Sequence, residues 1–454
     1  MAGRVAEAVM EQEIKNEMKQ RILAELDMSQ EIDDMEVRRL VDQCIMEYKG
    51  MTELPLPARI KLRKELFNTV RRMDVLSEFL EDESVTEIMI NGYDNIFIER
   101  SGRVYKVDQT FENEERLASI IQQIVAGCNR IVNEAVPIVD ARLADGSRVN
   151  VVLPPISLNG PTMTIRKFPK EKMTMERLIE VGALSEDAAE FLKRLVKARY
   201  NIFVSGGTGA GKTTFLNALS DYIPQQERVI TIEDSAELQL KNVVNLVRLE
   251  SRNSNVEGMN AVTIRELIKS SLRMRPDRVI VGEVRDAAAI DMLAAMNTGH
   301  DGSLSTGHAN SSGDMITRLE SMALMGMELP LEAVRRQIAS AVDVIIHLGR
   351  LRDGSRKVLE IAEVTGMREG LVELHTIYEF EEMVAGEEQE VTDMVYAAAG
   401  TLSEQNVTDG FQLQKVTGRL RARAELLHQE KFLRAGIAYK SVLCAEVRSE
   451  GAGV

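Results

Sequence analysis

The sequence predicts an α/β domain built on a parallel sheet, preceded by a smaller α+β domain and a helical arm. Three observations carry this. Apolar runs recur at residues 200–205, 228–232, 278–281, 303–306 and 342–348, alternating with stretches of helical periodicity. Strands buried on both faces read as such unbroken runs, and helices that cover a parallel sheet return the chain between them. Upstream, short apolar runs are separated by Asn91-Gly92 and Ser101-Gly102, the signal of a hairpin meander. The first 50 residues are charge-rich, with Ile32, Met35, Val37, Leu40, Val41 and Ile45 at helical spacing.

Taken in order, residues 1–50 form the acidic helical arm, which ends at Leu54-Pro55-Leu56-Pro57. Residues 51–170 form the amino-terminal α+β domain. Its elements are a helix over 59–80, strands over 86–90, 95–100 and 104–107, a helix over 117–128, and strands over 148–153 and 162–168. Pro169 to Met175 reads as a linker. Residues 171–367 form the α/β domain, and residues 368–454 an acidic extension of unassigned role. A chain of 454 residues has room for two or three such domains.

The net charge of −15 is concentrated at the ends: residues 1–50 carry −5 and residues 367–454 carry −6, leaving the middle near balance. Nucleic-acid binders show the reverse, a basic domain with clustered Lys and Arg, so no nucleic-acid partner is expected. Cys44, Cys128 and Cys444 lack paired spacing, which points to neither a zinc site nor a disulfide framework and suits a reducing cytoplasm. No secretory signal is visible at the start, and the longest uncharged stretch, 149–165, is interrupted by Pro154, Pro155, Gly160 and Pro161. A soluble, cytoplasmic protein is expected, with peripheral docking on a membrane as the closest approach to lipid.

Residues Gly206-Gly207-Thr208-Gly209-Ala210-Gly211-Lys212-Thr213 match G-x-x-x-x-G-K-[ST]. Small residues let the backbone curl into a nest of N–H groups for phosphate oxygens, and the following helix adds the positive end of its dipole. Lys212 is expected to reach the β- and γ-phosphates of ATP, the Thr213 hydroxyl to ligate Mg²⁺, and Thr214 to join the cradle. A chance match in a chain this long is on the order of one per cent. The apolar strand before the loop and the helix after it make chance a weaker explanation still.

Hydrolysis also needs a carboxylate to orient water and support for the metal. Glu233 and Asp234 end the strand at 228–232, and Glu283 follows the strand at 278–281. In an open α/β sheet, both strand ends fall beside the phosphate loop. Spacing alone does not decide which acid serves water and which the metal; Glu233 is favoured for water and Glu283 for the metal shell. His300 and His308 lie in a glycine-rich stretch, Thr298 to Asn310, and read as γ-phosphate sensors. Arg248 and Arg252 after the first acidic strand, and Arg273 and Arg275 before the second, are candidates to stabilise phosphoryl charge; surface salt bridges are the alternative for each.

The ordered set GGTGAGKTT, ITIEDSAEL, LRMRPDRVIVGEVRD and MNTGHDGSLSTGHANS resembles the Walker A, Asp box, Walker B and His box of type II/IV secretion ATPases. The stretches SVTEIMINGYDNIFIERSGRVY and DARLADGSRVNVVLPPISLNGPTMTIRKF resemble the amino-terminal domain of the CpaF branch, the Tad (Flp) pilus assembly ATPases. The resemblance runs from about Arg59 to Met367. It implies a RecA-like P-loop NTPase domain, a homo-hexameric ring with ATP held between the two domains, and action on an inner-membrane platform that adds or removes pilin. Carried over by motif, Lys212 and Thr213 serve the phosphates and Mg²⁺, Glu233 lies in the Asp box, Glu283 in Walker B, and His300 and His308 in the His box. Arg142, Arg148 and Arg166 become candidates to reach the nucleotide. Walker B departs from the common pattern in having Gly282 and no Asp before Glu283. Gly307 stands where many relatives carry an apolar residue.

Two other functions fit part of the pattern. A RecA-type nucleic-acid motor would share the phosphate loop but not the acidic charge balance. A nucleotide-gated scaffold would bind ATP and hydrolyse it rarely.

Overall fold

A computed structural model of the 454-residue chain describes residues 75–443 except 101, 129, 169–171, 253–260 and 383–415. It also describes 34–48 and ten residues between 17 and 67 (17, 18, 21, 22, 59, 60, 62, 63, 66 and 67). Most of the arm expected over 1–50, and part of the helix expected over 59–80, lie outside these residues. The chain forms two compact units, one within Met1–Lys170 and one within Glu171–Ala399 and Gly410–Val454.

In the first unit, helix α1 (Asp34–Glu47) places Val41 and Cys44 in a small cluster with Met18, Ile22, Leu62, Leu66 and Phe67. Helix α2 (Leu76–Glu81) leads into a meander of strands β1 (Val85–Asn91), β2 (Ile96–Arg100) and β3 (Arg103–Lys106). Helix α3 (Glu114–Gly127) starts where the Asn113 side chain accepts from the backbone N–H of Arg116. Strands β4 (Ile138–Arg142), β5 (Arg148–Val152) and β6 (Thr162–Arg166) complete an antiparallel sheet in the order β3-β2-β1-β6-β5-β4. Alternation decides its two faces: Ile88, Ile90, Val149, Val151, Met163 and Ile165 pack with Leu117, Ile120, Ile121 and Ile124 of α3, while the intervening polar residues stay outside. Strand β4 was not expected from sequence. It is an edge strand with one buried residue, Val139, and so lacks an apolar run.

The second unit opens with helices α4 (Met175–Glu180) and α5 (Glu186–Lys197), then strand β7 (Ile202–Gly206) and helix α6 (Lys212–Ser220). Strands β8 (Arg228–Glu233) and β9 (Asn245–Glu250), helix α7 (Ile264–Ser271), strand β10 (Arg278–Val281) and helix α8 (Ala288–Asn297) follow. Then come strand β11 (Leu304–His308), helices α9 (Ser312–Gly326) and α10 (Leu331–Ala341), and strand β12 (Val344–Arg350). These six strands run parallel in the order β12-β7-β11-β10-β8-β9. Residues of α4, α5 and α6 share a core with Ile202 and Val204, while residues of α7 to α10 share another with Phe203, so the two sets of helices cover opposite faces.

The sheet does not stop at the parallel strands. Strands β13 (Arg356–Arg368), β14 (Leu371–Glu382) and β15 (Gly418–Ala422) extend it antiparallel from β12, giving a mixed nine-stranded sheet. The boundary expected at 367/368 therefore falls at the end of β13, inside a hairpin. Residues 371–382 and 418–422 share the sheet of the α/β unit. Helix α11 (Glu430–Arg434) then packs Phe432 on Tyr200, with ring centroids 5.3 Å apart.

Candidate functional site

Strand β7 is buried along its length and delivers the chain to the phosphate loop. A Cβ on Gly206 would stand 2.5 Å from the backbone oxygen of Leu348, so only glycine lets β12 run this close to the loop. Gly207, Thr208 and Gly209 are exposed, while Ala210 turns into the core. Gly211, at φ 89, caps helix α6. Lys212 is the first residue of that helix. Its buried Nζ donates to the carbonyls of Gly206 at 3.2 Å and Gly207 at 3.0 Å, holding an ammonium group inside the loop. Thr213 and Thr214 follow in the first turn.

On one flank of the loop, the parallel register brings His308 directly opposite Gly206. The His308 ring nitrogens Nδ1 and Nε2 lie 3.3 and 3.5 Å from Lys212 Nζ, and Nε2 lies 2.9 Å from Oε1 of Glu283. That last approach lacks hydrogen-bond alignment and leaves Glu283 Oε1 buried without a hydrogen-bond partner. Burial and the charges of Lys212, Arg285 and Arg318 lower the His308 pKa against the pull of Glu283, so the ring is neutral at pH 7. For Glu283, burial opposes ionisation, but the hydrogen bond from Arg285 and the charges of Arg285 and Lys212 outweigh it. Its carboxyl is held below the ordinary glutamate range and stays ionised.

Glu233 behaves oppositely. It ends β8 and is 3 % exposed, and burial pushes its pKa up to about 7 against the hydrogen bonds and the Arg248 charge that favour the anion. Its Oε1 accepts from the backbone N–H groups of Glu237 and Leu238, both at 2.9 Å, while Oε2 is buried and without a hydrogen-bond partner. Gly282 makes room for this side chain: a Cβ there would meet Glu233 Cγ at 2.9 Å. The glycine before Glu283 thus seats the other carboxylate. Gly307 is small for a related reason, since Met315 Cε lies 2.7 Å from where its Cβ would stand.

The remaining candidates separate into near and far groups. Arg248 pairs in register with Thr231, two residues before Glu233, and Arg252 lies just beyond the end of β9 in a bridge with Val262. His300 stands apart from these groups. It precedes β11 by four residues and lies at the amino end of the parallel sheet, with Nδ1 3.2 Å from the carbonyl of Ala295. The strand that carries His308 to the loop carries His300 away from it. Arg273 and Arg275, ahead of β10, also lie at that amino end. In the first unit, cross-strand register aligns Arg142 with Arg148, Arg148 with Arg166, and Arg166 with Glu87, placing three arginines in one row on the sheet face opposite α3.

Three residues were not anticipated. Arg285 bonds Glu283 at 2.7 Å and lies 3.6 Å from Asp234; its signal is the basic residue two places after Glu283. His347, a polar interruption in a buried strand, stands 2.8 Å from the hydroxyl of Ser205 beneath the loop. Arg356 Nε donates to the carbonyl of Gly209 at 2.8 Å, and nothing local in sequence marks it.

The residues present fit a Mg²⁺ ion held with nucleotide. Among the described residues no group of three or more His, Cys, Asp or Glu could hold a metal alone. Magnesium characteristically takes one or two protein ligands and completes its shell with phosphate and water. The ionised Glu283, with Oε1 buried and unbonded, and the Thr213 hydroxyl in the first turn of α6 are of that kind. Among the described residues, no helix is long and apolar enough to cross a membrane.

A family model described as "Type II/IV secretion system protein" matches residues 71–429. A putative conjugal transfer protein of Mycobacterium tuberculosis is 34% identical over 331 residues, covering 72% of this chain and 93% of its own. A type IV secretion system protein VirB11 of Bartonella quintana is 29% identical over 330 residues, covering 64% of this chain and 91% of its own. The crystal structure of the Brucella suis VirB11 ATPase in complex with sulphate aligns with 31% identity and a TM-score of 0.36, covering 63% of this chain and 95% of that one.

Proposed function

The chain belongs to the type II/IV secretion system protein family, and from that premise we propose that it is an ATP-hydrolysing motor of a secretion or pilus system. The observation that carries the proposal is the convergence on Lys212. Its ammonium group, His308 and the ionised Glu283 meet at the carboxyl end of the parallel sheet, and the buried Glu233 ends β8, the strand beside β10.

The four groups divide the work by charge. Lys212 and the loop amides hold the polyphosphate. Glu283, ionised at neutral pH, supports Mg²⁺ with Thr213, and the metal when bound neutralises charge developing between the phosphates. Glu233, with a pKa of about 7 and one bare oxygen, takes a proton from water during attack. Neutral His308, between Lys212 and Glu283, reports whether the γ-phosphate is present. Arg248 lies close enough to act on Glu233, and Arg252 follows at the end of the same strand. The row Arg142, Arg148 and Arg166 gives the first unit a cationic sheet face of a kind that suits a polyphosphate.

Within the family, the upstream motifs favour the Tad/Flp pilus branch. The working assembly is then a homo-hexamer acting from the cytoplasm on inner-membrane platform proteins. The acidic ends disfavour the nucleic-acid motor, and the poised Glu233 disfavours a scaffold that does not hydrolyse. The direct test is steady-state ATPase activity of the wild type and of Lys212→Ala, with and without single-stranded DNA. Turnover that disappears in the variant and ignores DNA supports the motor; turnover unaffected by the variant ends the proposal. Affinity purification from membranes tests the partner, which should be a polytopic membrane protein.

A further inference from the structure

The phosphate loop has two flanks. Sheet order puts β11, β10 and β8 on one side of β7, bringing His308, Glu283 and Glu233; on the other side stands β12, hydrogen-bonded to β13. That second flank is basic. Arg350 ends β12, Arg356 begins β13, and the two stand directly opposite in register across the hairpin. Like charges directly opposite on a sheet are unfavourable neighbours, so the pair concentrates positive charge at this edge of the loop. Arg356 reaches back to the loop: its Nε donates to Gly209 O at 2.8 Å, and its Cδ lies 3.5 Å from where a Cβ of Gly211 would stand. Both arginines are exposed, and among the described residues no carboxylate forms an ion pair with Arg356.

A tether for the loop would explain the bond to Gly209 but not the choice of residue, since one N–H on a neutral amide could make it. It leaves unexplained why a second arginine stands opposite, and why the guanidinium has no acid beside it. We propose that Arg356 binds the nucleotide polyphosphate from the same protomer, on the flank away from the reacting groups, through the part of the chain that ATP and ADP share. A guanidinium fixed by Nε keeps its two terminal amino groups to offer phosphate oxygens, the planar geometry that suits arginine to this task. This rests on the phosphate-loop reading and adds a residue to it.

The test is equilibrium binding of a fluorescent ADP, with ATP and pyrophosphate as competitors, to wild type, Arg356→Gln, Arg356→Lys and Lys212→Ala, each checked by thermal melting. Arg356→Gln keeps a donor for Gly209 and loses the charge. It should weaken ADP, ATP and pyrophosphate alike by about tenfold, with kcat within about twofold and KM raised in step, and Arg356→Lys should recover part of the loss. Unchanged affinity in Arg356→Gln overturns the proposal in favour of a tether. Weakening of ATP alone overturns the assignment to the shared phosphates. Wild-type affinity in Lys212→Ala would instead remove the phosphate-loop reading beneath it.

Discussion

His308 Nε2 lies 2.9 Å from Glu283 Oε1, and the same ring lies beside the Lys212 ammonium group. A neutral imidazole between a cation and an anion can reorient when a γ-phosphate draws Lys212 away, which is what the proposed sensor role of His308 requires. His308→Ala should therefore lower kcat by about 10- to 100-fold while changing ADP affinity by less than about threefold. Stopped-time ATPase assays with parallel ADP titrations check this; a variant whose loss is entirely in ADP affinity would return His308 to a binding role.

Glu233 carries a prediction about stability as well as rate. Its folded pKa of about 7 exceeds its ordinary value of 4.5, so the native state prefers the proton. Ionised Glu233 costs stability; that cost is absent below the unfolded pKa and grows as pH rises toward and through 7. Glu233→Gln should abolish most turnover yet melt higher than wild type at pH 8, by a margin on the order of 1–3 kcal/mol that vanishes by about pH 5. Wild-type kcat should rise with pH across the same range, as the proposed role of the Glu233 anion as base requires. Melting curves at several pH values decide: a margin that is independent of pH would mean that the proton is not the cause.

The loop glycines are not equivalent. At Gly206 an added methyl would meet backbone, the Leu348 oxygen at 2.5 Å, which cannot swing aside. At Gly207 nothing lies within 4 Å. Gly206→Ala should destabilise the fold by about 2 kcal/mol or more and remove nucleotide binding, whereas Gly207→Ala should melt within about 0.5 kcal/mol of wild type. Urea denaturation of the two variants side by side measures the contrast, and equal midpoints would show that β12 does not constrain the loop.

What could be read from sequence depended on whether the signal was local. The strand before Gly206 and the helix after Lys212 announce themselves through apolar runs and one motif, so the loop and the acids at the ends of β8 and β10 were legible. His300 was grouped with His308 because eight residues separate them in sequence, but an extended strand is long enough to put the two at opposite ends of a sheet. β14 and β15 escaped because Glu-rich and Arg-rich strands have no apolar run; their alternation becomes visible only once Arg423 is seen against Glu379 at 3.1 Å and Arg421 against Glu381 at 3.1 Å. Arg356 was invisible for a different reason. Its importance comes from a loop 147 positions away, a relationship set by sheet order alone.

Lys431 helps fasten the carboxy-terminal segment to the far end of the same sheet. Lys431 Nζ lies 2.8 Å from Asp301 and 2.6 Å from Asp343, and Asp343 also accepts from the backbone N–H of Asn201 at 2.6 Å. Burial raises the Asp343 pKa against the pull of Lys431, so removing the cation strands a buried charge. Breaking such a pair on one side typically costs about 3–5 kcal/mol; partial exposure of Asp343 brings the expectation for Lys431→Met to about 2–3 kcal/mol at pH 8. The loss should shrink as pH falls toward the raised Asp343 pKa, because a protonated carboxyl no longer needs its partner. Adding Asp343→Asn should restore most of the stability. ADP affinity should remain at the wild-type value throughout, since the phosphate loop lies at the other end of the strands. Urea unfolding at pH 5 and pH 8 measures these differences. A Lys431→Met protein as stable as wild type at pH 8 would mean that the segment is fastened by Phe432 and its aromatic neighbours rather than by the charge.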